Sequence, residues 1–525
     1  MLAYDTLNKI DKTEQYLVNN VSTCKSPANS LFLRPTDEKE ISEIISKLKI
    51  KSTPGYDNIC NEIIKSCSNV LVTPIAFLCN QSLSTGTVPD IWKIANVSPI
   101  FKAGDPLEIS NYRPISLLST LSKILEKVVN KRLTIFLQKE GLLAENQFGF
   151  RTNRSTEDAV MQLVNHVSNS IETGTRCIGV FLDLAKAFDT VSRPILLKKL
   201  EFYGVRGIAL DWFRSYLMNR KQRLKYGSNY SELCNISYGV PQGSVLGPTL
   251  FLIYINDLSL MNLKATKILS FADDTVVLFN GKTWQLVIEA ATAGLRSISA
   301  WLEKNLLCLN VSKTKYMGFH VSNKTSFPAT INLKLHTCAP NNASTYCDCL
   351  SLERVDCVKY LGVLIDHKLK WSHHIDYLSN KVRKLTYIFR RLKIVSELET
   401  VNLVYAALVR SVLNYCITVW GSANQSFLIK LERTQRAILK VAYGKDFRYP
   451  TDSLYKECKQ LRVRQLYVLS TTMRFHRMVP YYSFISQINN NIDIMHSPQS
   501  ICKNVVSNWL LNLDYSATEN LLKNN

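Results

Sequence analysis

Leu269-Ser270-Phe271-Ala272-Asp273-Asp274-Thr275-Val276-Val277-Leu278-Phe279 reads as two apolar strands joined by a tight turn with two acids at its tip. Hairpin tips favour Asn-Gly or Asp-Gly because the turn needs positive φ, so turn chemistry alone does not select Asp-Asp. Upstream, Val180-Phe181-Leu182-Asp183 closes a strand predicted over 177–184, apolar enough to be buried on both faces. A carboxylate at such a strand end is expensive to desolvate without a partner. Together the segments predict adjacent strands whose ends gather Asp183, Asp273 and Asp274. Like charges so gathered shift one another's pKa, and a hard divalent cation relieves the repulsion. Mg2+ takes oxygen ligands while keeping waters and binding substrate phosphates. Two such ions about 3.5–4 Å apart activate an attacking 3′-oxygen and stabilise leaving pyrophosphate. The three acids thus point to phosphoryl transfer, although each alone would serve equally well as a turn or cap residue.

Working outward, strands alternate with helices before residue 366, and helices alone follow Ser372, which predicts an α/β unit with a helical appendage. Residues 1–90 read as a helical N-terminal extension: Ile41, Ile44, Ile45 and Leu48 recur at helical spacing, Thr53-Pro54-Gly55-Tyr56-Asp57 breaks the chain, and a second helix is predicted over 63–83. Val97–Phe101 is a predicted strand and 102–106 a loop. A long amphipathic helix is predicted from Arg113-Pro114 through Leu133, with Pro114 in its first turn. Further on, the pattern predicts helices over 195–204 and 284–305, a hairpin over 223–238, and strands near 316–320 and 358–365. Gly239-Val240-Pro241-Gln242-Gly243 is read as a loop opening a helix that runs through Leu258.

Lys and Arg number 64 against 42 Asp and Glu, a net charge of +22, which fits either a polyanionic partner or a merely soluble basic protein. Basic residues recur over 359–410 and 425–477. The interleaved Trp371, Tyr377, Tyr387 and Phe389 are either stacking platforms for bases or helix core, and Leu403, Leu408, Val412 and Leu428 are read as core. No stretch approaches the roughly 20 apolar residues of a membrane span, and Asp5, Lys9 and Asp11 are unlike a signal peptide. Fourteen cysteines without a C-x-x-C pair fit an intracellular, reduced protein. Cys338, Cys347, Cys349 and Cys357, with His336, form the one cluster, and its spacing matches no standard zinc site.

Phe181–Asp189 (F-L-D-L-A-K-A-F-D), Gly239–Ser244 (G-V-P-Q-G-S) and Phe271–Asp274 (F-A-D-D), in this order and spacing, closely resemble the reverse transcriptases of non-LTR retrotransposons, especially the insect jockey-like group. The likeness covers roughly residues 30–480. It implies a right-hand α/β polymerase, with fingers and palm over 91–370, a basic helical thumb-like region over 371–480 and a tail over 481–525. It implies an RNA-directed DNA polymerase that extends a DNA primer on an RNA template with dNTPs. Its cofactor would be two Mg2+ ions, for which Mn2+ can substitute.

By the same resemblance Asp183 and Asp273 are metal ligands and Asp274 completes the pair. Phe188 closes against the sugar's 2′ position, where a hydroxyl would collide with a rigid ring. Lys102 and Arg113 bind the incoming triphosphate, one as a point charge and the other as a bidentate fork. Gln242 and Gly243 lie where a loop meets template or nucleotide, with glycine permitting close backbone approach. Lys313 is the general acid for pyrophosphate. Gln147–Arg151 (Q-F-G-F-R) supports the template strand, and Tyr360-Leu361-Gly362-Val363 forms a primer-grip hairpin. Full elements of this type carry an endonuclease before the polymerase, and the sequence reads as a polymerase core without it. Two other readings stand beside the first: a catalytically inactive nucleic-acid-binding relic, and an RNA-dependent RNA polymerase. Phe188 argues against the latter, since its ring excludes ribonucleotides.

Overall fold

The computed structural model describes residues 26–321, 327–328, 331, 333–335 and 349–478. His336, Cys338, Cys347 and the 481–525 tail lie outside them, so the proposed cysteine cluster is represented only by Cys349 and Cys357. The chain divides into two compact units, one of residues 1–155 with 169–355 and one of 156–168 with 356–525.

The first unit is mixed α/β. Its main sheet is built from β3 (Arg176–Leu182), β7 (Thr266–Phe271), β8 (Asp274–Gly281), β9 (Lys315–Phe319) and β10 (Glu353–Arg354). Their order across the sheet is β10-β9-β3-β8-β7. β3 is the central strand, antiparallel to both β8 and β9. Cys177, Ile178 and Val180 are all fully buried, which explains its unbroken apolar run. Helix Trp284–Lys304 lies against β3 and β8. It is admitted by Gly294, where a Cβ would sit 2.4 Å from the Phe279 ring. Helices Arg193–Phe202 and Gly247–Ser259 are tied by a buried ion pair, Lys199 to Asp257 at 2.7 Å, and the Trp301 indole also donates to Asp257.

The second sheet contains β1 (Ile94–Phe101), β2 (Tyr112–Leu117), β4 (Lys221–Tyr226), β5 (Asn229–Tyr230) and β6 (Cys234–Asn235). It is ordered β2-β1-β4-β5, with β6 on β4. Here the sequence expectation fails: Arg113 and Pro114 do not open a helix. They lie in β2, paired antiparallel to β1 with Pro99 opposite Pro114. Proline lacks the ladder donor and is tolerated because β2 is an edge strand. The helix begins only at Thr120, where the Ser119 hydroxyl caps it by accepting from the Leu121 amide. Helix Ile208–Leu217, which the pattern did not predict, buries Trp212, Phe213 and Tyr216. The N-terminal apolar run is two helices, Asn61–Ser66 and Ser68–Thr85.

The second unit opens with the hairpin of β11 (Cys357–Tyr360) and β12 (Val363–Asp366). Its turn residues Leu361 and Gly362 both have positive φ, 45° and 84°, as a type I′ turn requires. Helices follow, with Gln425–Ala442 packed against both Ser372–Lys384 and Thr386–Val395. Trp371 and Phe389 are core residues, whereas Tyr387 is 64% exposed. Leu428 is buried as expected, but Leu403 is 71% exposed. The inward stripe is instead Val401, Tyr405, Val409 and Leu413, carried through a π-helical turn at Ala406–Arg410. The opening residues of helix Thr156–Glu172 belong to this unit: Thr418 donates to Glu157, and Arg474 pairs with Asp158 at 2.5 Å. Among the described residues no helix is long and apolar enough to cross a membrane.

Candidate active site

The register of the main sheet sets the site. Leu182 of β3 pairs with Thr275 of β8, so Asp183, the next residue, emerges beside Asp274. Phe271 pairs with Asp274 across a two-residue turn, Ala272-Asp273. The main chain of Asp183 is fixed from the far side: the Asn310 amide donates to its carbonyl at 2.7 Å, and its own amide donates to the Thr314 hydroxyl at 3.2 Å. Lys313 stands exposed in this same turn.

Asp273 and Asp274 feel the charges around them. Desolvation raises the Asp273 pKa, and the neighbouring Asp183 charge raises it further, while the fields of Arg113 and Lys102 pull it down. Asp274 is pushed up to about 6, first by desolvation, then by Asp273 and Asp183, again against Lys102. The structure therefore brings together four of the expected positions around Asp273: Asp183 and Asp274 as like charges, Lys102 and Arg113 as opposite ones. Among the described residues no set of three His, Cys, Asp or Glu side chains closes into a cage for a metal ion. The donor set fits an ion that takes only a few carboxylates and completes its shell with water and phosphate oxygens.

Phe188 lies partly buried, its face stacked on Phe251 of helix Gly247–Ser259 at 4.3 Å and its flank met edge-on by Phe150 at 6.3 Å. Gln242 donates to Asp189 at 2.8 Å, and its carbonyl accepts from the Ser116 amide at 2.7 Å. The glycine requirement at Gly243 is met within the protein: φ is +116° and a Cβ would lie 2.7 Å from the Ser116 carbonyl. The loop is also held from behind. Arg193 donates to the carbonyls of Ile236, Tyr238 and Gly239. The buried Glu126 carboxylate accepts from the Val245 and Leu246 amides. Sequence reasoning missed both groups, since each acts across the fold on backbone atoms.

Gln147–Arg151 has a neighbour the sequence did not suggest. Gln147 is only 2% exposed, and its side-chain oxygen accepts from the Ala272 amide in the turn that carries Asp273. Arg151 folds back onto the carbonyls of Ala144 and Gln147.

Residues 100–365 match the reverse transcriptase (RNA-dependent DNA polymerase) family. A probable RNA-directed DNA polymerase from transposon BS of Drosophila melanogaster is 30% identical over 453 residues, covering 82% of this chain and 48% of that protein. The RNA-directed DNA polymerase from mobile element jockey of the same species is 29% identical over 445 residues, covering 82% of this chain and 46% of that protein. The probable RNA-directed DNA polymerase from transposon X-element, also of that species, is 26% identical over 467 residues, covering 86% and 48%. The chain thus spans about half the length of these relatives. With its family motifs on the strand ends and loop described above, the chain belongs to the reverse transcriptase family.

Proposed function

We propose that this chain is the RNA-directed DNA polymerase of a non-LTR retrotransposon, extending a primer 3′-hydroxyl with dNTPs by two-metal-ion nucleotidyl transfer. The observation that carries this reading is the convergence of Asp183, Asp273 and Asp274 from two paired strands, within the field of Lys102 and Arg113. Reverse transcriptases use divalent metal ions, and here Asp183, Asp273 and Asp274 would hold two Mg2+ ions. Bound there, the ions would lower the pKa of the attacking 3′-hydroxyl and offset charge on the leaving pyrophosphate.

The chain's own groups do the rest. Lys102 and Arg113 orient the triphosphate, Arg113 through a two-pronged hydrogen bond. Phe188, backed by Phe251, presents a ring to the sugar and excludes a 2′-hydroxyl. Gln242, steadied by Asp189, lines the nucleotide or template. Lys313 gives its proton to the departing pyrophosphate. In this reading the β2-β1-β4 sheet belongs to the fingers, the β9-β3-β8-β7 sheet is the palm and the basic helical unit is the thumb, tracking the phosphate backbone of template and primer.

The test is primer extension by the purified chain on poly(rA)/oligo(dT) with Mg2+. Incorporation of dTTP and not UTP is expected, and Asp273→Asn should abolish it while leaving template binding intact. Parental activity in that variant would refute the metal assignment. Salt-sensitive RNA binding without extension would mark a non-catalytic binder, and UTP incorporation an RNA polymerase.

A further inference from the structure

Segment 146–150 is hydrogen-bonded along the acid-bearing hairpin. The Ser270 amide donates to the Asn146 carbonyl at 2.9 Å and the Phe148 amide to the Ser270 carbonyl at 2.8 Å. The Gln147 side-chain oxygen then accepts twice, from the Gly149 amide at 2.9 Å and the Ala272 amide at 3.0 Å. Ala272 has φ of 56°, a left-handed conformation that costs a non-glycine residue energy and persists where the surroundings over-determine it. Gly149 lies so close that a Cβ there would sit 2.4 Å from the Ala272 nitrogen.

The choice of glutamine is informative. Both backbone amides need an acceptor, so the side-chain NH2 must face the other way, and it is buried without a partner among the described residues. Such an orphan donor is costly. Glutamate would accept both bonds without it, but would place a further negative charge against the turn that carries Asp273 and Asp274, where like charges repel. A neutral acceptor is what this position requires.

Two residues on, Phe150 also has a left-handed backbone, φ 52°, and its ring is 53% exposed. That ring meets Phe188 edge-on, with an interplanar angle of 87°. Phe188 thus has two walls, Phe251 from a helix of the core and Phe150 from the loop that grips the hairpin.

We propose that Gln147–Phe150 is a positioning brace that holds the Asp273 turn at one end and the Phe188 ring at the other, so that metal grip and sugar selection share one mechanical support. This rests on reading Asp273 as a metal ligand and Phe188 as the sugar gate.

The experiment uses the full chain on poly(rA)/oligo(dT), reading kcat, the Mg2+ concentration for half-maximal extension, and the ratio of kcat/KM for dTTP over UTP. Gln147→Met keeps the shape and removes the acceptor. It should raise the Mg2+ requirement several-fold and lower kcat by roughly 100-fold, the scale of a 1 Å misplacement, with primer–template affinity retained. Phe150→Ala removes a surface ring whose loss does not threaten folding. It should lower the dTTP/UTP ratio about tenfold, the low end of what one apolar contact discriminates, and Phe150→Tyr should restore it. A parental ratio in Phe150→Ala, with the ratio lost in Phe188→Val, overturns the brace and leaves the gate standing. A parental ratio in both variants sinks the gate itself. Parental kcat and Mg2+ requirement in Gln147→Met overturn the clamp, while activity in Asp273→Asn would instead sink the metal reading.

Discussion

His374 shows how a single residue ties the second unit to pH. Its ring is 1% exposed, its Nδ1 accepts from the Leu364 amide at 3.3 Å, and burial lowers its pKa to about 4. The folded state therefore binds the proton less readily than the unfolded chain, whose histidine titrates near 6.5. The stability this contributes is complete above the unfolded value and is lost as the pH falls from about 6.5 towards 4, by up to roughly 3 kcal/mol. Urea unfolding of wild type and His374→Asn at pH 7 and pH 5 checks this. The wild type should lose more stability than the variant on acidification, and equal losses would show that His374 is not the sensor. Ala272 makes a different point at the same scale. Alanine where a tight turn favours glycine is a local misfit, and its amide is held by a glutamine 125 residues away.

At the scale of elements, the β2–helix boundary carries a stability prediction. Ser119 caps helix Thr120–Lys139 and donates to Asp57 at 2.5 Å. Ser119→Ala should therefore cost about 1–2 kcal/mol, measurable as a lower denaturation midpoint, whereas a helix beginning at Pro114 would be indifferent to the change. The sequence misled here because Arg-Pro-Ile-Ser-Leu-Leu suits either state, and only pairing with β1 makes it a strand. β3, β7 and β8 were legible because an unbroken apolar run that meets an acid at its end suits a buried strand and little else. For the same reason Asp183, Asp273 and Asp274 could be picked out as a set. The supports were not legible as such: Gln147 stood out only as part of a motif expected to support the template strand, and Glu126 and Arg193 not at all, because each bonds to main-chain atoms distant in sequence, which leaves no local pattern. Leu403 was misplaced because several apolar stripes share that helix and packing selects one.

For the whole molecule, the net charge of +22 makes a salt-dependence prediction for the proposed nucleic-acid binding. If RNA is held mainly through phosphates, affinity should fall by roughly a thousandfold between 50 and 200 mM salt, as expected for about six neutralised phosphates. Filter binding across that range tests it, and a flat profile would contradict a thumb that tracks the backbone. The chain's path through its two units has its own consequence. Residues 156–168 are translated before the rest of their unit, and the arginine that pairs with Asp158 arrives 316 residues later. During synthesis the Asp158–Arg474 ion pair therefore cannot form until residue 474 has been translated. A fragment ending near residue 355 would keep Glu157 and Asp158 but lack Thr418 and Arg474. Nascent chains halted before and after residue 474 should accordingly differ in protease resistance at the 156–168 helix.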